Sequence, residues 1–563
     1  MGSRRVSLGI DFGTESARAL VVDLADGTEL GLAVFPYPHG VIDEHLPGTD
    51  VRLGVDWALQ HPGDWLEALT HCVPQALTQA GAKPEEVVGI GVDFTSCTVL
   101  PTDARDQPLC LRGEFSADPN AWPKLWKHHA SQPQADLINQ VARRRKEAFL
   151  GRYGGKVSSE WLFAKLLQVL QESPAVYQAT HRYIEGGDWI VRQLTGVEAR
   201  NACAAGYKAL WDKATGYPSR DFLGELDPRF ADVVAEKLST HIVAPGTQVG
   251  TLRAEWAGRM GLRPGTPVAA ATIDAHAAVP AATVTAPGKM VIIMGTSFCH
   301  LLLGEEGHFV EGICGVVEEG ILPGYFGYEA GQVAGGDIYA WYVEHGVPTY
   351  VAEEAKARGL SVHQLLSERA QSLGPGGSGL LALDWWNGNR CILVDADLTG
   401  LLVGFTLSTR PEEIYRALIE ATAFGTRKII EAFVVAGVAV EELYASGGLP
   451  ERNPLVMQIF SDVTGRPIRI AASAQTTALG AAILGALAAG KAAGGYDDAG
   501  DAARHMAKLK RESYRPNPQA APVYDRLYRE YERLHDYFGR GANDVMHLLK
   551  HLKQATGRPV VSS

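Results

Sequence analysis

The sequence predicts a mixed α/β protein built as at least two large domains with a cleft between them. Three observations carry this. The chain has 563 residues, more than one core usually serves at roughly 100–200 residues per domain. Hydrophobic residues make up 46% and charged residues 21%, a globular balance that can fill such cores. One short pattern, apolar strand, Gly-Thr turn, apolar strand, occurs once in each half, as "LGIDFGTESARALVVD" from Leu8 and as "MVIIMGTSFCHLLL" from Met290.

The elements follow in order. Residues 6–36 give three strand-like runs, with Asp26-Gly27 as a tight turn between the second and third. No helix pattern follows Gly13, so this is a meander and not a βαβ opening. "VVGIGVDFTSCTVL" (87–100) is a further apolar strand behind a helical stretch, and helical patterns dominate from about Trp122 to Thr195, where Gly196 supplies a stop. A second strand-rich block begins near Pro267. "GPGGSGLLALDWWNGNR" punctuates the second half, a helix starts near Pro411, and "SGGLPERN" (446–453) leads into another. "ALGAAILGALAAG" (478–490) is shorter than the roughly 18 residues of a membrane span, and its alternating Ala and Gly suit a buried, tightly packed helix. In the final "VYDRLYREYERLHDYFG", Tyr524, Leu527, Tyr528, Tyr531, Leu534 and Phe538 fall on one helical face, the mark of a docked amphipathic helix.

Composition excludes several function classes. A formal charge of -12 opposes sequence-independent binding to nucleic acid or to an anionic membrane. The single basic run, Arg143 to Lys146, is a solvated helix face or a local anion patch. Seven scattered cysteines show neither CxxC spacing nor a secreted framework, which points to reduced thiols and a cytoplasmic protein. The opening "MGSRRVSLGIDF" is cut short by Asp11 and makes a poor signal peptide. No GxxxxGK[ST] loop is present. Gly374, Gly376 and Gly379 fit GxGxxG but precede a strand-like run, the reverse of the dinucleotide-binding order, and form a flexible loop.

Asp11-Phe12-Gly13-Thr14 permits a phosphate site of another kind. Glycine lets the turn backbone approach an anion, the Thr hydroxyl and turn N–H groups donate, and the carboxylate can hold a hydrated magnesium ion. Taken alone, Asp11 equally suits accepting N–H bonds within its own turn. Paired with Gly295-Thr296-Ser297, it allows two turns to clamp one polyphosphate from opposite sides, the arrangement that γ-phosphoryl transfer requires. Transfer to a hydroxyl also needs a carboxylate that takes the proton. Asp274, in "IDAHAAVPAA" at the junction of an apolar strand and a small-residue helix, offers one and serves equally as a helix cap. The neighbouring His276 suits a packed residue. "SGGLPERN" either lays glycine backbone against a flat base, with Asn453 and Gln458 nearby, or is a plain turn. Trp126, Trp385 and Trp386 are either sugar walls or core.

"GIDFGTESARALVVD", "IDAHAAVPA", "MGTSFCHLLL", "SGGLPERNPLVMQIFSDVTGRPI" and "TTALGAAILGAL" together resemble, in order and over nearly the whole chain, the FGGY carbohydrate kinases. The resemblance implies two actin-like domains of ribonuclease-H type flanking an ATP cleft. It divides the chain into 1–275 (sugar site, first phosphate turn, catalytic base at its end), 276–495 (second phosphate turn, adenosine segment) and a helical extension over 496–563. It implies Mg2+ and ATP, with Asp11, Gly13 and Thr14 in the first turn and Asp11 toward the metal. Gly295, Thr296 and Ser297 fall in the second turn, Gly447, Gly448 and Asn453 in the adenosine segment, and Asp274 on the base.

"VDFTSCTVLP", "KLWKHHA", "SSEWLFAKLLQ", "EGGDWIVRQLTG" and "ALDWWNGNRCILVDADLTGLLVGFTL" are similar to the bacterial branch of the family that acts on L-ribulose. Where the glycerol-specific members carry Arg-Glu, this chain has Ser96-Cys97, a departure that argues for a different polyol pocket. Lys208, Glu329 and Trp126 are expected to contact the sugar beside Ser96 and Asp274. The implied activity is phosphorylation of L-ribulose at its terminal hydroxyl in arabinose catabolism, with a homodimer by analogy. The alternatives are a kinase of D-ribulose, xylulose or a pentitol, and an actin- or chaperone-like nucleotide switch. A chaperone would need a β-rich peptide-binding domain where the residues after about 495 read as helices.

Overall fold

The structure, a computed structural model, describes residues 4–555. Strands β1 (Val6–Phe12), β2 (Ser16–Asp23) and β3 (Glu29–Pro36) form the expected antiparallel meander. Gly27, at φ 70°, makes the turn between the last two. Helix α1 (Pro62–Ala80) then leads to β4 (Val87–Phe94), which joins β1 in parallel. Both strands are buried along their whole length, as parallel strands covered on two faces must be.

A helical insert follows, with helices over Gln132–Arg145, Leu162–Glu172 and Gly186–Thr195 and then α2 (Ala202–Lys208). It carries its own apolar core, which includes Trp122, Leu162, Phe163 and Leu166. Gly196 ends the third of these helices in the left-handed region at φ 79°. The basic run closes the first, where Arg145 pairs with Glu147 at 2.7 Å and with Glu225 at 2.9 Å. It is a solvated, paired face.

The chain returns through β5 (Gln248–Thr251), β6 (Pro267–Ala269) and β7 (Thr272–Ile273), giving the order β3-β2-β1-β4-β6-β5 with β7 also on β4. The strand-rich block expected from Pro267 is therefore split: its first two strands finish the first sheet. Helix α3 (Asp274–Ala281) runs across the expected division at 275/276 as one continuous element.

The second sheet repeats the plan. Strands β8 (Gly288–Met294), β9 (Phe298–Gly304), β10 (Gly315–Glu318) and β11 (Phe326–Gln332) are antiparallel neighbours. Helix α4 (Gly336–Trp341), helix α5 (Pro411–Val435), β12 (Val440–Ser446), α6 (Gly448–Arg452), α7 (Pro454–Thr464) and β13 (Ile468–Ala471) follow, with β12 parallel to β8 as β4 is to β1. After α8 (Thr476–Ala489), β14 (Leu509–Tyr514) pairs antiparallel with β13 and completes the order β10-β11-β9-β8-β12-β13-β14. Residues 496–555 are thus not a purely helical extension, because their strand belongs to the second sheet. Helix α9 (Ala521–Gly539) docks as expected, burying Tyr524, Tyr528 and Tyr531 against α5 and its surroundings. His535 is buried with them.

Helix α8 locks the halves together. It comes from the second half yet lies on β1 and β4, and Ser7 Oγ donates to the Ala482 carbonyl at 2.6 Å. The approach is possible because the strands present glycine there. A Cβ at Gly91 would stand 1.8 Å from the Ala481 carbonyl oxygen and one at Gly9 would stand 1.9 Å from that of Ala478, inside any van der Waals contact.

Candidate active site

Three carboxylates converge at the C-terminal ends of neighbouring parallel strands. Asp11 near the end of β1 faces Asp93 of β4, Asp93 faces Thr272 of β7, and Asp274 follows β7 as the first residue of α3. Asp11 Oδ2 accepts from Thr477 Oγ1 at 2.6 Å and lies 3.2 Å from Arg18. Asp93 has no exposed surface, and neither of its oxygens has a hydrogen-bond partner. Burial, and then the Asp11 charge, hold its carboxyl well above the usual range. Asp274 Oδ1 accepts the Ala275 N–H at 2.6 Å, while the helix cap position belongs to Ile273. Burial and the same Asp11 charge raise the Asp274 carboxyl to about 7, the range useful for a general base at neutral pH.

Such a group of buried acids, with orphaned oxygens and a single arginine beside Asp11, suits a hydrated divalent cation. Another trio, His39, His61 and Asp64, also brings three ligand atoms within 4.8 Å of one another. Its imidazole rings stack at 4.1 Å and 11°, so their lone pairs run side by side and do not meet at one ion.

Each Gly-Thr turn is closed by its glycine N–H, but the loops differ by one residue, with Phe12 facing Ala17 across the first and Met294 facing Phe298 across the second. Gly13 N–H donates to the Ser16 carbonyl at 2.9 Å, and Gly295 N–H to that of Ser297 at 3.1 Å. Gln60 Nε2 steadies the first turn through the Thr14 carbonyl at 2.8 Å, and Trp126 Nε1 donates to Thr14 Oγ1 at 3.1 Å. The second turn is held from behind by the start of α4, where Gly335 and Gly336 donate to the Thr296 and Gly295 carbonyls at 2.8 and 3.0 Å. Gly295, Thr296 and Ser297 remain exposed. Close by, Gly447 adopts φ 102°, and a Cβ there would sit 2.6 Å from the Met294 carbonyl oxygen, so only glycine fits. Gly447 and Gly448 are exposed.

Asn453, expected in the adenosine segment, has both ends of its side-chain amide engaged within the protein. Its Oδ1 caps α7 through the Val456 N–H and its Nδ2 donates to Ser367. Gln458 is likewise committed, to Asp462 and the Arg515 carbonyl.

One cavity brings together all five residues expected at the sugar: Ser96, Trp126, Lys208, Asp274 and Glu329 line it. Lys208 Nζ donates to Glu329 Oε1 at 2.8 Å and Oε2 at 3.0 Å, and His276 Nε2 lies 3.4 Å from the same carboxylate. Burial alone would raise the Glu329 carboxyl, but the Lys208 and His276 charges reverse this and hold it well below the usual range. Burial would lower the His276 imidazole, and Cys203 with Glu329 lifts it to about 9. Trp385 is fully buried in the core and takes no part.

Sequence reading missed Asp93, Glu160, Cys299 and Arg390; the last three also line the cavity. Asp93 had a signal, because "GVDF" repeats "GIDF" and the two pair residue for residue across β1 and β4. Glu160 and Arg390 had none, since they lie 230 positions apart and meet only through the fold.

Comparison with known proteins gives a consistent result. The model of the N-terminal domain of the FGGY family of carbohydrate kinases matches residues 6–280, and that of the C-terminal domain matches 290–489. A protein of Geobacillus thermodenitrificans named Ribulokinase is 58% identical over 554 residues, covering 98% of each chain. One of the same name from Mycolicibacterium smegmatis is 49% identical over 558 residues, covering 99% of this chain and 98% of the other. Among solved structures, xylulose kinase from Rhodospirillum rubrum superposes with a TM-score of 0.79 at 24% identity, over 97% of this chain and 100% of that one. Plasmodium falciparum glycerol kinase with ADP gives 0.73 at 15% identity, over 95% and 98%. These two share the fold.

Proposed function

The chain belongs to the FGGY family of carbohydrate kinases, and on that premise we propose that it transfers the γ-phosphoryl group of ATP to the terminal hydroxyl of L-ribulose. The observation that carries this reading is the single cavity in which the near-neutral carboxyl of Asp274 meets the Lys208–Glu329 pair. The names of relatives such as the Geobacillus protein support a ribulose as the acceptor.

Asp274 takes the proton of the attacking hydroxyl as the bond to phosphorus forms. Asp11 is the residue that would hold magnesium, which when bound would supply positive charge against the phosphates. The hydroxyls of Thr14, Thr296 and Ser297 and the turn N–H groups that do not already donate within the turns bind the phosphates. Gly447 and Gly448 offer bare backbone to the adenosine, with Asn453 fixing the start of the next helix and so shaping that wall. Lys208 and Glu329, each satisfied by the other, present fixed charges to sugar hydroxyls, and Trp126 closes the side nearest Thr14. Approach of the two halves removes water that would otherwise accept the phosphoryl group. All seven cysteines are free thiols, which supports a reducing compartment such as the cytoplasm.

The test is a coupled ADP-release assay with Mg-ATP against L-ribulose, D-ribulose, D-xylulose, ribitol and glycerol. The expected result is the highest kcat/KM on L-ribulose. ATP consumption that is indifferent to every sugar overturns the reading.

A further inference from the structure

Two ion pairs cross the cavity between the halves in opposite sense. Lys208 of the helical insert meets Glu329 of β11 at 2.8 Å, a closed and buried pair. Glu160, also of the insert, meets Arg390 of the second half at 3.5 Å, and 38% of the arginine side chain is accessible. Arg390 reaches this place across Gly331, where a Cβ would stand 3.5 Å from its Cδ. Its guanidinium presents a rigid fork of N–H donors and no acceptor. The hydrogen bond given to that fork is Nη2 to Glu160 Oε1, at the outer limit of such a bond.

Donors are scarce elsewhere around the cavity. Lys208 holds both oxygens of Glu329, Trp126 donates its indole N–H to Thr14, and His276 faces Glu329. Ser96 offers a hydroxyl, which serves an acceptor or a donor equally well. The acidic side chains, while ionised, can only accept. An open-chain ketopentose and the pentitol of the same configuration differ at one oxygen. On C2 the ketose carries a carbonyl, which only accepts, where the pentitol carries a hydroxyl, which does both. A carbonyl enclosed among carboxylates would be left unpaired at a cost, whereas a hydroxyl would turn and donate.

Resting on the reading of the chain as a ketopentose kinase, we infer that Arg390 donates to the C2 carbonyl oxygen of the open-chain sugar, held in position by Glu160, and thereby selects ketoses over pentitols. The geometry of a donor fork on a cavity whose Lys208, His276 and Trp126 donors already face Glu329 or Thr14 is what recognises the carbonyl.

The experiment compares wild type with Arg390→Met and Arg390→Lys, using L-ribulose as substrate and L-arabinitol as alternative substrate or, where it is not turned over, as competitive inhibitor. For Arg390→Met the expected result is a fall of about 100-fold in kcat/KM for L-ribulose with a change below about threefold in the pentitol constant. KM for Mg-ATP and the melting temperature stay at wild-type values, which shows that the fold is intact. Arg390→Lys recovers part of the ketose loss, because an ammonium still donates but lacks the fork. Parallel losses on both ligands, or none on either, with wild type active on L-ribulose, overturn the assignment of Arg390 alone. Wild type inactive on every ketopentose overturns the acceptor reading and this assignment with it.

Discussion

Asp11 and Asp93 stand opposite each other on parallel strands, inside a stretch where Gly9, Ile10, Asp11 and Phe12 face Gly91, Val92, Asp93 and Phe94. The two phenylalanine rings stack at 5.1 Å, and the two acids are left side by side at the cleft end of the sheet. Asp11 has Thr477 and Arg18, while Asp93 has no hydrogen-bond partner. Burial first, and then Asp11, raise its folded value above the unfolded one, which favours the neutral acid in the free protein. Its contribution to stability is complete below about pH 4 and is lost as pH climbs toward the raised value. Replacing Asp93 with Asn removes this loss. We expect the variant to melt about 2–4 °C above wild type at pH 8, with the gap closing near pH 4.5. A gap that does not vary with pH would contradict a neutral Asp93.

The Asp274 carboxyl, raised to about 7 by burial and Asp11, must be ionised to act as a base. At limiting sugar and limiting Mg-ATP, kcat/KM should rise about tenfold per pH unit below 7 and level off above it. The profile is to be measured between pH 5 and 9. A flat response across that interval removes Asp274 from the role.

Asp274→Asn keeps the size of the side chain and removes the proton acceptor. Turnover should fall by about 10³-fold or more, while the dissociation constant for Mg-ATP, measured by calorimetry, changes little. Near-normal turnover would require another base.

Lys208 and Glu329 are both buried, so removing one partner strands a charge. Lys208→Met and Glu329→Gln should each cost about 3–5 kcal/mol of stability, and the double variant less than the sum. Chemical denaturation of the four proteins in a cycle gives the coupling. Additive losses would show that the pair is not coupled across the cleft.

Gly91→Ala places a methyl group 1.8 Å from the Ala481 carbonyl oxygen and pushes α8 off the first sheet. The expected effect is a loss of about 1–3 kcal/mol or more in stability, together with lower activity, because α8 also carries Thr477, the partner of Asp11. Gly465→Ala is the control, at a glycine with open space around it but φ of 66°, and should cost about 1 kcal/mol with activity retained. Equal effects at the two sites would argue that close approach is not what Gly91 provides.

The two halves, the meander of the first, the paired Gly-Thr turns and the docked helix near the end were legible because they are local. Each rests on a periodicity of two or 3.6 residues or on the conformations that Gly permits, and those act between near neighbours in the chain. The candidate base was legible in the same way, as an acid where a strand hands over to a helix. The five expected sugar contacts, Ser96, Trp126, Lys208, Asp274 and Glu329, came from likeness to a family, and the fold gathers all five around one cavity.

Other features were decided only in three dimensions. Strands β6 and β7 sit next to the second half in sequence but pair with β4, and β14 pairs with β13 although helices surround it. A strand's choice of partner depends on which edge is open, and no local pattern encodes that. That Asn453 caps α7 and meets Ser367 with the two ends of its amide is visible only in the fold. The raised carboxyl of Asp274 needs Asp11, more than 260 positions away, and the Glu160–Arg390 contact needs both halves in place. By itself, then, the sequence determined the elements, the turns and the kind of chemistry, because short-range sterics and hydrophobic periodicity suffice for them. Which charges share a cavity, and so which protons can move, was decided by tertiary structure alone, since electrostatics acts through distance in space and not along the chain.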